Sequence, residues 1–316
     1  MSLAAIESAA ALVHAVMPPT PQYRWPLLCA RAGAELWVKH ENHTPLGAFK
    51  VRGGIVYIDH LRRSEPGVQG VIAATRGNHG QSVTFAATRA GLKSVIVVPE
   101  GNSAEKNAAM KALGCELIEH GHDFQAAYEF AQGLAKERKL HPFPSFHPLL
   151  AHGVGTYALE FLKAQPDLDT VYVPIGLGSG ICGMIGARDA LGLKTKVVGV
   201  VSENAPTYAL SFAKGSPAPT NSADTMADGL ACRVPVAAAV EIVNRGAERI
   251  VTVSDAQVMA AMRAYFADTH NVAEGAGAAT LAALLQEREK MAGKKVGVVL
   301  SGGNVDTRVY RDVLAG

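Results

Sequence analysis

Lys50 ends the run Leu46-Gly47-Ala48-Phe49-Lys50, in which small residues and an aromatic ring precede a stretch of helical composition. A free lysine amine titrates near ~10.4 and keeps its proton at neutral pH. A lysine that is buried, or joined to a carbonyl cofactor, escapes that limit and serves as a base or forms a Schiff base. Taken alone, such a residue reads as ordinary surface charge. Three further segments supply what a reactive lysine needs.

Residues 174–183, Pro-Ile-Gly-Leu-Gly-Ser-Gly-Ile-Cys-Gly, run from an apolar strand through alternating glycines into a helix. Such glycines let the backbone of Gly176, Leu177, Gly178, Ser179 and Gly180 approach an anion with its N–H groups turned inward. The helix start adds its positive end, which makes the segment a phosphate cradle. Gly178, Gly180 and Gly183 also satisfy G-x-G-x-x-G, and Glu203 follows at the ~20-residue distance of a dinucleotide fingerprint. At this point a nicotinamide or flavin enzyme stays open.

The run Thr75-Arg76-Gly77-Asn78-His79-Gly80-Gln81 follows a short apolar strand and opens a helix, where clustered N–H groups suit a carboxylate. The Asn78 amide can donate to a phenolate-type oxygen or cap the helix, and His79 reads as a packed helix residue. Arg76 is a cation beside a positive helix end, a misplacement of a few tenths to ~1 kcal/mol. An anion lying between the two cancels that cost, and so does a side chain turned to solvent. The third segment, Leu300-Ser301-Gly302-Gly303-Asn304, places a hydroxyl and two glycines where a ring can approach closely, or where a serine caps the last helix. In Glu274-Gly275-Ala276-Gly277-Ala278-Ala279 the small residues predict a closely packed helix start.

The elements that must position these residues alternate. Apolar, β-branched runs at 36–39, 71–74, 95–98, 171–175, 197–201, 250–253 and 296–300 read as strands. Helical patterns fall between them at 80–90, 104–113, 124–136, 181–191, 255–268 and 275–287. The alternation predicts an α/β protein with mainly parallel sheets, whose ligands sit beyond the carboxyl ends of the strands. The proline-rich stretch 141–148 is expected to be neither helix nor central strand, and to carry the chain between two domains. Residues 214–224 form a second long loop.

Composition sets outer limits. The 316 residues are 48% hydrophobic and 18% charged, with a net charge of +2, so nothing points to nucleic acid or to an anionic membrane surface. No apolar run approaches the ~20 residues of a membrane span. Cys29, Cys115, Cys182 and Cys232 have neither disulfide-framework nor metal-ligand spacing, which predicts a reducing, cytoplasmic setting.

Together the segments resemble the pyridoxal-phosphate enzymes of the threonine/serine dehydratase family, with the tryptophan-synthase-β-like fold (fold type II). The resemblance runs from about Pro21 to about Asp306, with the motifs in the family's order. Ala48-Phe49-Lys50 is similar to its Ser-Phe-Lys Schiff-base motif, and Gly77-Asn78-His79-Gly80-Gln81 to its helix-opening loop. Asp228-Gly229-Leu230 resembles its Ala-Asp-Gly loop, and Ser301-Gly302-Gly303-Asn304 its pyridine-facing strand end. A dinucleotide enzyme accounts for the glycine loop alone; this family accounts for all four segments.

The resemblance implies two mainly parallel sheet domains flanked by helices with the cofactor in the cleft between them. One domain would comprise residues 1–50 and 149–316, and a small mobile one residues 51–148. It implies an ammonia-lyase that converts threonine, serine or a 3-hydroxyaspartate-like substrate to a 2-oxo acid and ammonia. A β-replacement enzyme or racemase of the same fold is the alternative, with a nicotinamide oxidoreductase behind them. Lys50 would carry the cofactor and move the α-proton, Phe49 would flank it, and Asn78 would bond the phenolic oxygen. Gly176, Leu177, Gly178, Ser179 and Gly180 would hold the phosphate, and Ser301 the pyridine nitrogen. Thr75, Arg76, Gly77 and His79 would hold the substrate; the misplaced charge of Arg76, rather than the resemblance, suggests a second carboxylate there.

The sequence departs from the family pattern at Ala48, usually serine, and at Arg76, serine in the family's racemases. The divalent-metal positions of some members fall near Val201 and Thr207, poor ligands for a hard cation, so no metal is expected. The chain stops soon after Asn304, so no regulatory domain is expected, and analogy suggests a homodimer.

Overall fold

A computed structural model describes residues 1–316 as ten strands and fourteen α-helices. The strands are β1 (Gln22–Arg24), β2 (Glu35–His40), β3 (Gly70–Ala74), β4 (Lys93–Val98), β5 (Glu116–Glu119), β6 (His141–Pro142), β7 (Thr170–Pro174), β8 (Lys196–Ser202), β9 (Arg249–Val253) and β10 (Lys295–Leu300). The helices are α1 (Leu3–His14), α2 (Pro26–Ala32), α3 (Lys50–Ser64), α4 (Asn78–Arg89), α5 (Ala104–Ala112), α6 (Phe124–Glu137), α7 (Pro148–Ala164), α8 (Ser179–Ala190), α9 (Thr207–Lys214), α10 (Ala237–Gly246), α11 (Asp255–Thr269), α12 (Gly275–Gln286), α13 (Arg288–Met291) and α14 (Thr307–Ala315). The chain divides into two compact units, Met1–Phe49 with Val154–Gly316, and Lys50–Gly153. No helix is long and apolar enough to cross a membrane.

The larger unit holds a six-stranded sheet in the order β1-β2-β10-β7-β8-β9. Only β1 is antiparallel to its neighbour. Helices cover both faces, so its inner strands are largely apolar, and every residue of β7 is buried. Helix α12 is buried from Gly275 to Leu284, and its small residues let it lie flat on the sheet. A Cβ on Gly277 would stand 2.5 Å from the Gly302 carbonyl oxygen at the end of β10.

In the smaller unit four parallel strands run in the order β5-β4-β3-β6. The two-residue period of a strand is visible in β3: Val71 and Ala73 join the core under α3 and α4, and Ile72 and Ala74 the core under α6. Helices α3 and α4 touch through Gly54, where a Cβ would lie 2.8 Å from the Ser82 carbonyl oxygen.

The seven strands read from the sequence all form. The three it missed are edges of three, four and two residues (β1, β5 and β6) whose burial pattern lacks an apolar run. The proline-rich stretch contributes one of these, β6, and gives Pro148 to the first position of α7, where a missing N–H costs nothing.

Lys39 on β2 is fully buried, and its ammonium donates to Glu160 Oε2 at 2.6 Å and to the Thr20 carbonyl at 2.7 Å. Removing one partner of such a pair strands a charge in a dry interior. Lys39→Met should therefore lower the unfolding free energy by about 3–5 kcal/mol. Lys39→Met with Glu160→Leu should recover most of that loss, as measured by urea unfolding.

Candidate active site

Several helices start on side-chain caps: Ser2 before α1, Ser103 before α5, Asp123 before α6 and Ser254 before α11 each accept from a first-turn N–H. As α2, α9, α10, α12 and α14 also do, helices α8 and α4 start without such a cap. Their N-cap residues are Gly178 and Gly77, neither has a side-chain cap, and neither first turn carries an acid.

In the loop before α8, Gly178 has φ +99°, the left-handed region that glycine adopts without strain. A Cβ on Gly178 would sit 2.8 Å from that of Ala239, and one on Gly176 would run into the Gly229 carbonyl oxygen. The loop is fastened by its carbonyls. Tyr208 Oη donates to the Leu177 carbonyl at 2.8 Å, and Tyr157 Oη to the Gly180 carbonyl at 3.2 Å. Tyr208 Oη also accepts from the Val236 N–H at 3.3 Å, tying the loop to the approach to α10. Peptides held through their oxygens present their N–H groups on the opposite side, which is the requirement for an anion site. Ser179 is buried at the first position of α8.

Ser301 is buried directly beyond the end of β10. Around it residues 46–49 and 301–304 form a short clasp. Phe49 N–H donates to the Ser301 carbonyl at 3.0 Å, Gly303 N–H to the Gly47 carbonyl at 2.9 Å, and the Asn304 amide to the Leu46 carbonyl at 2.7 Å. Ala48 and Gly302 form an antiparallel bridge. Thr44 closes the turn, its hydroxyl accepting from Ala48 N–H and donating to the Ala48 carbonyl, both at 2.9 Å. The Phe49 ring meets Tyr157 edge-on at 6.2 Å. Residue 49, which precedes the lysine, is thus fixed to the strand end that carries Ser301.

In the smaller unit Lys50 opens α3, and its carbonyl accepts from Ser82 Oγ at 2.6 Å. Ser82 lies one turn into α4, so the lysine is tied to the helix that Asn78 begins. Asn78 is the first helical residue rather than the cap, which is Gly77. Thr75 is buried, and its hydroxyl accepts from Gly77 N–H at 3.2 Å. Arg76 is exposed between these two buried neighbours.

His79 sits one residue into α4 with its ring edge-on to Phe143 at 5.5 Å. Burial, then the nearby Lys50 charge, lowers its pKa to about 3 against a bond to the Pro144 backbone that raises it. The ring is therefore neutral at pH 7, with Nε2 enclosed and without a hydrogen-bond partner.

The structure thus gathers Gly176, Leu177, Gly178, Ser179, Gly180, Ser301 and Phe49 on strand ends and loops of the larger unit. It gathers Lys50, Thr75, Arg76, Gly77, Asn78 and His79 around the start of α4 in the smaller one. Sequence reasoning missed Tyr157, Tyr208, Ser82 and Lys106, the last packed over Gly77. The first three each act through one hydroxyl on a backbone far away in the chain, and no local pattern marks such a residue. Within the larger unit, an anion cradle and a buried neutral hydroxyl beyond β10 are donors of the kind that the phosphate and ring nitrogen of pyridoxal phosphate require.

Comparison with known proteins decides the family. Residues 15–302 match the family described as pyridoxal-phosphate dependent enzyme. The chain belongs to this family. It is 34% identical over 285 residues to an L-threonine ammonia-lyase of Thermotoga maritima, covering 89% of this chain and 70% of that one. An L-threo-3-hydroxyaspartate ammonia-lyase of Saccharomyces cerevisiae is 32% identical, covering 94% and 91%. The biosynthetic L-threonine dehydratase of Haemophilus influenzae is also 32% identical, and the chain spans 59% of its length. Among solved structures, a pyridoxal 5'-phosphate-dependent aspartate racemase superposes with a TM-score of 0.91 at 31% identity, covering 98% and 97%. The fold is the α/β, fold type II arrangement of the threonine deaminases, and the cofactor of this pyridoxal-phosphate enzyme follows from its family.

Two outcomes follow for this site. Gly176→Ala should weaken pyridoxal phosphate binding on the order of 10²-fold, read from the visible absorbance regained as cofactor is titrated into apoprotein. His79, with a folded pKa of about 3 below its unfolded ~6.5, contributes stability that is present above ~6.5 and lost as pH falls towards 3. His79→Phe should flatten the pH dependence of unfolding across that window.

Proposed function

We propose that this chain is a pyridoxal-phosphate-dependent ammonia-lyase that removes the β-hydroxyl of a small amino acid and yields a 2-oxo acid and ammonia. Its relatives include ammonia-lyases for threonine and for 3-hydroxyaspartate, so the substrate range covers β-hydroxy amino acids with neutral and with acidic side chains. The observation that carries the reading is the anchoring of Lys50. The residue before it is held by the Ser301 strand end, and its own carbonyl is held by Ser82.

Pyridoxal phosphate supplies an electron sink for negative charge at the substrate α-carbon. The backbone of residues 176–180 would hold its phosphate, the Asn78 amide its phenolic oxygen and the Ser301 hydroxyl its ring nitrogen. A neutral hydroxyl does not keep that nitrogen protonated as a carboxylate does, which moderates the sink and favours elimination over transamination. Lys50 Nζ takes the α-proton, and its tether makes that transfer a matter of proximity. The N–H groups at the start of α4, with Thr75, hold the substrate carboxylate.

Racemisation requires a second group that returns a proton to the opposite face. At position 76 the chain offers a guanidinium, which does not release its proton in the working pH range, so elimination is the reading that this residue favours. The protein works as a cytoplasmic homodimer on this proposal; four free thiols support a reducing compartment, and the dimer rests on analogy.

The purified protein should show a visible absorbance that borohydride abolishes, with the reduced adduct mapping to Lys50. Lys50→Ala should lower ammonia release on the order of 10²–10⁴-fold. A colourless protein, or an adduct on another lysine, would overturn the assignment.

A further inference from the structure

The first turn of α4 gathers basic side chains at a helix N-terminus. Its N-cap is a glycine without a side-chain cap, and no acidic residue stands in the turn. Arg76, directly before the cap, is the only exposed residue from Val71 to Gly80, and it has neither an ion pair nor a hydrogen bond to any residue. Acidic residues elsewhere on the surface do collect arginines: Arg31 meets Asp268, Arg138 meets Glu116, and Arg63 meets Asp59.

A second cation reaches the same turn from α5. The Lys106 side chain passes over Gly77 so closely that a Cβ there would lie 2.9 Å from its Cδ and 3.7 Å from its Nζ. The Ser103 cap fixes the start of α5, its hydroxyl accepting from Lys106 N–H at 3.0 Å. In the same turn the His79 ring stays neutral with Nε2 enclosed and unpartnered, so it adds an acceptor and no charge. Two basic side chains and a helix terminus thus converge on one turn, and the arginine has no anion of the chain bonded to it.

The geometry points to Arg76 as the residue that selects a dicarboxylic substrate, a β-hydroxy amino acid whose side chain ends in a second carboxylate. This rests on the lyase reading above and narrows it. The α4 N–H groups take the α-carboxylate. The Arg76 guanidinium takes the distal carboxylate, for which its planar fork is suited. The preference lies in a side chain that binds and moves no proton, so Arg76 is a specificity residue and not a catalytic one.

The test compares holoenzyme with Arg76→Ala and Arg76→Lys on 3-hydroxyaspartate and threonine, and titrates each calorimetrically with succinate and with butyrate. These two unreactive probes differ by one carboxylate. Wild type should prefer 3-hydroxyaspartate in kcat/KM and bind succinate the more tightly. In Arg76→Ala both preferences should fall at least tenfold, about 1.4 kcal/mol. Arg76→Lys should restore part of each, because it keeps the charge and loses the fork. Equal loss on the two substrates with an unchanged succinate-to-butyrate ratio would sink the inference. Ammonia release from neither substrate, with succinate still preferred through Arg76, would overturn the lyase reading and leave the dicarboxylate site standing.

Discussion

The bond from Phe49 N–H to the Ser301 carbonyl is the constraint on which the rest of the site depends. It closes an antiparallel clasp between two segments some 250 residues apart in the chain, braced by Thr44 on one side and Asn304 on the other. A flexible lysine is a poor catalyst because its reach is spread over many rotamers. Fixing the backbone before it, and bonding its own carbonyl to Ser82, removes that freedom from the main chain and leaves the side chain as the only moving part. The buried Ser301 is set by the same bond. One clasp therefore fixes the backbone beside both Lys50 and Ser301, the residues proposed to move the proton and to face the ring nitrogen.

The electrostatics rest on backbone more than on side chains. The starts of α4 and α8 carry no side-chain cap, and both begin on glycines. The field of such a terminus is fixed by the fold and does not titrate, so it holds anions across a wide pH range. The groups that do titrate are kept neutral where charge would compete. His79 is held uncharged by burial beside Lys50, and burial pushes the Cys182 thiol in α8 up to about 12.

What could be read from the sequence was whatever is local. Apolar runs marked the inner strands because a strand covered on both faces has no polar position to spare. Glycines marked the two helix starts because backbone approach needs no partner to be recognisable. Edge strands such as β5 and β6 escaped, since half-exposed residues carry little pattern. The tyrosines that fasten the glycine loop and the Ser82 hydroxyl that fastens Lys50 escaped for another reason. Each is one ordinary residue whose role depends on where the chain returns to, and spacing along the chain does not encode that return. Asn78 was placed correctly at a helix start but one position off the cap, a difference that only the Gly77 backbone decides.

The fastening of residues 176–180 by Tyr208 and Tyr157 has a thermodynamic consequence. A loop of glycines would ordinarily be floppy and would have to freeze when an anion arrives, surrendering entropy at each residue. Here the freezing is completed during folding, by hydroxyls anchored on two helices. A loop fastened in this way is ordered before any anion enters, so on the proposed function little of the intrinsic affinity is spent on ordering.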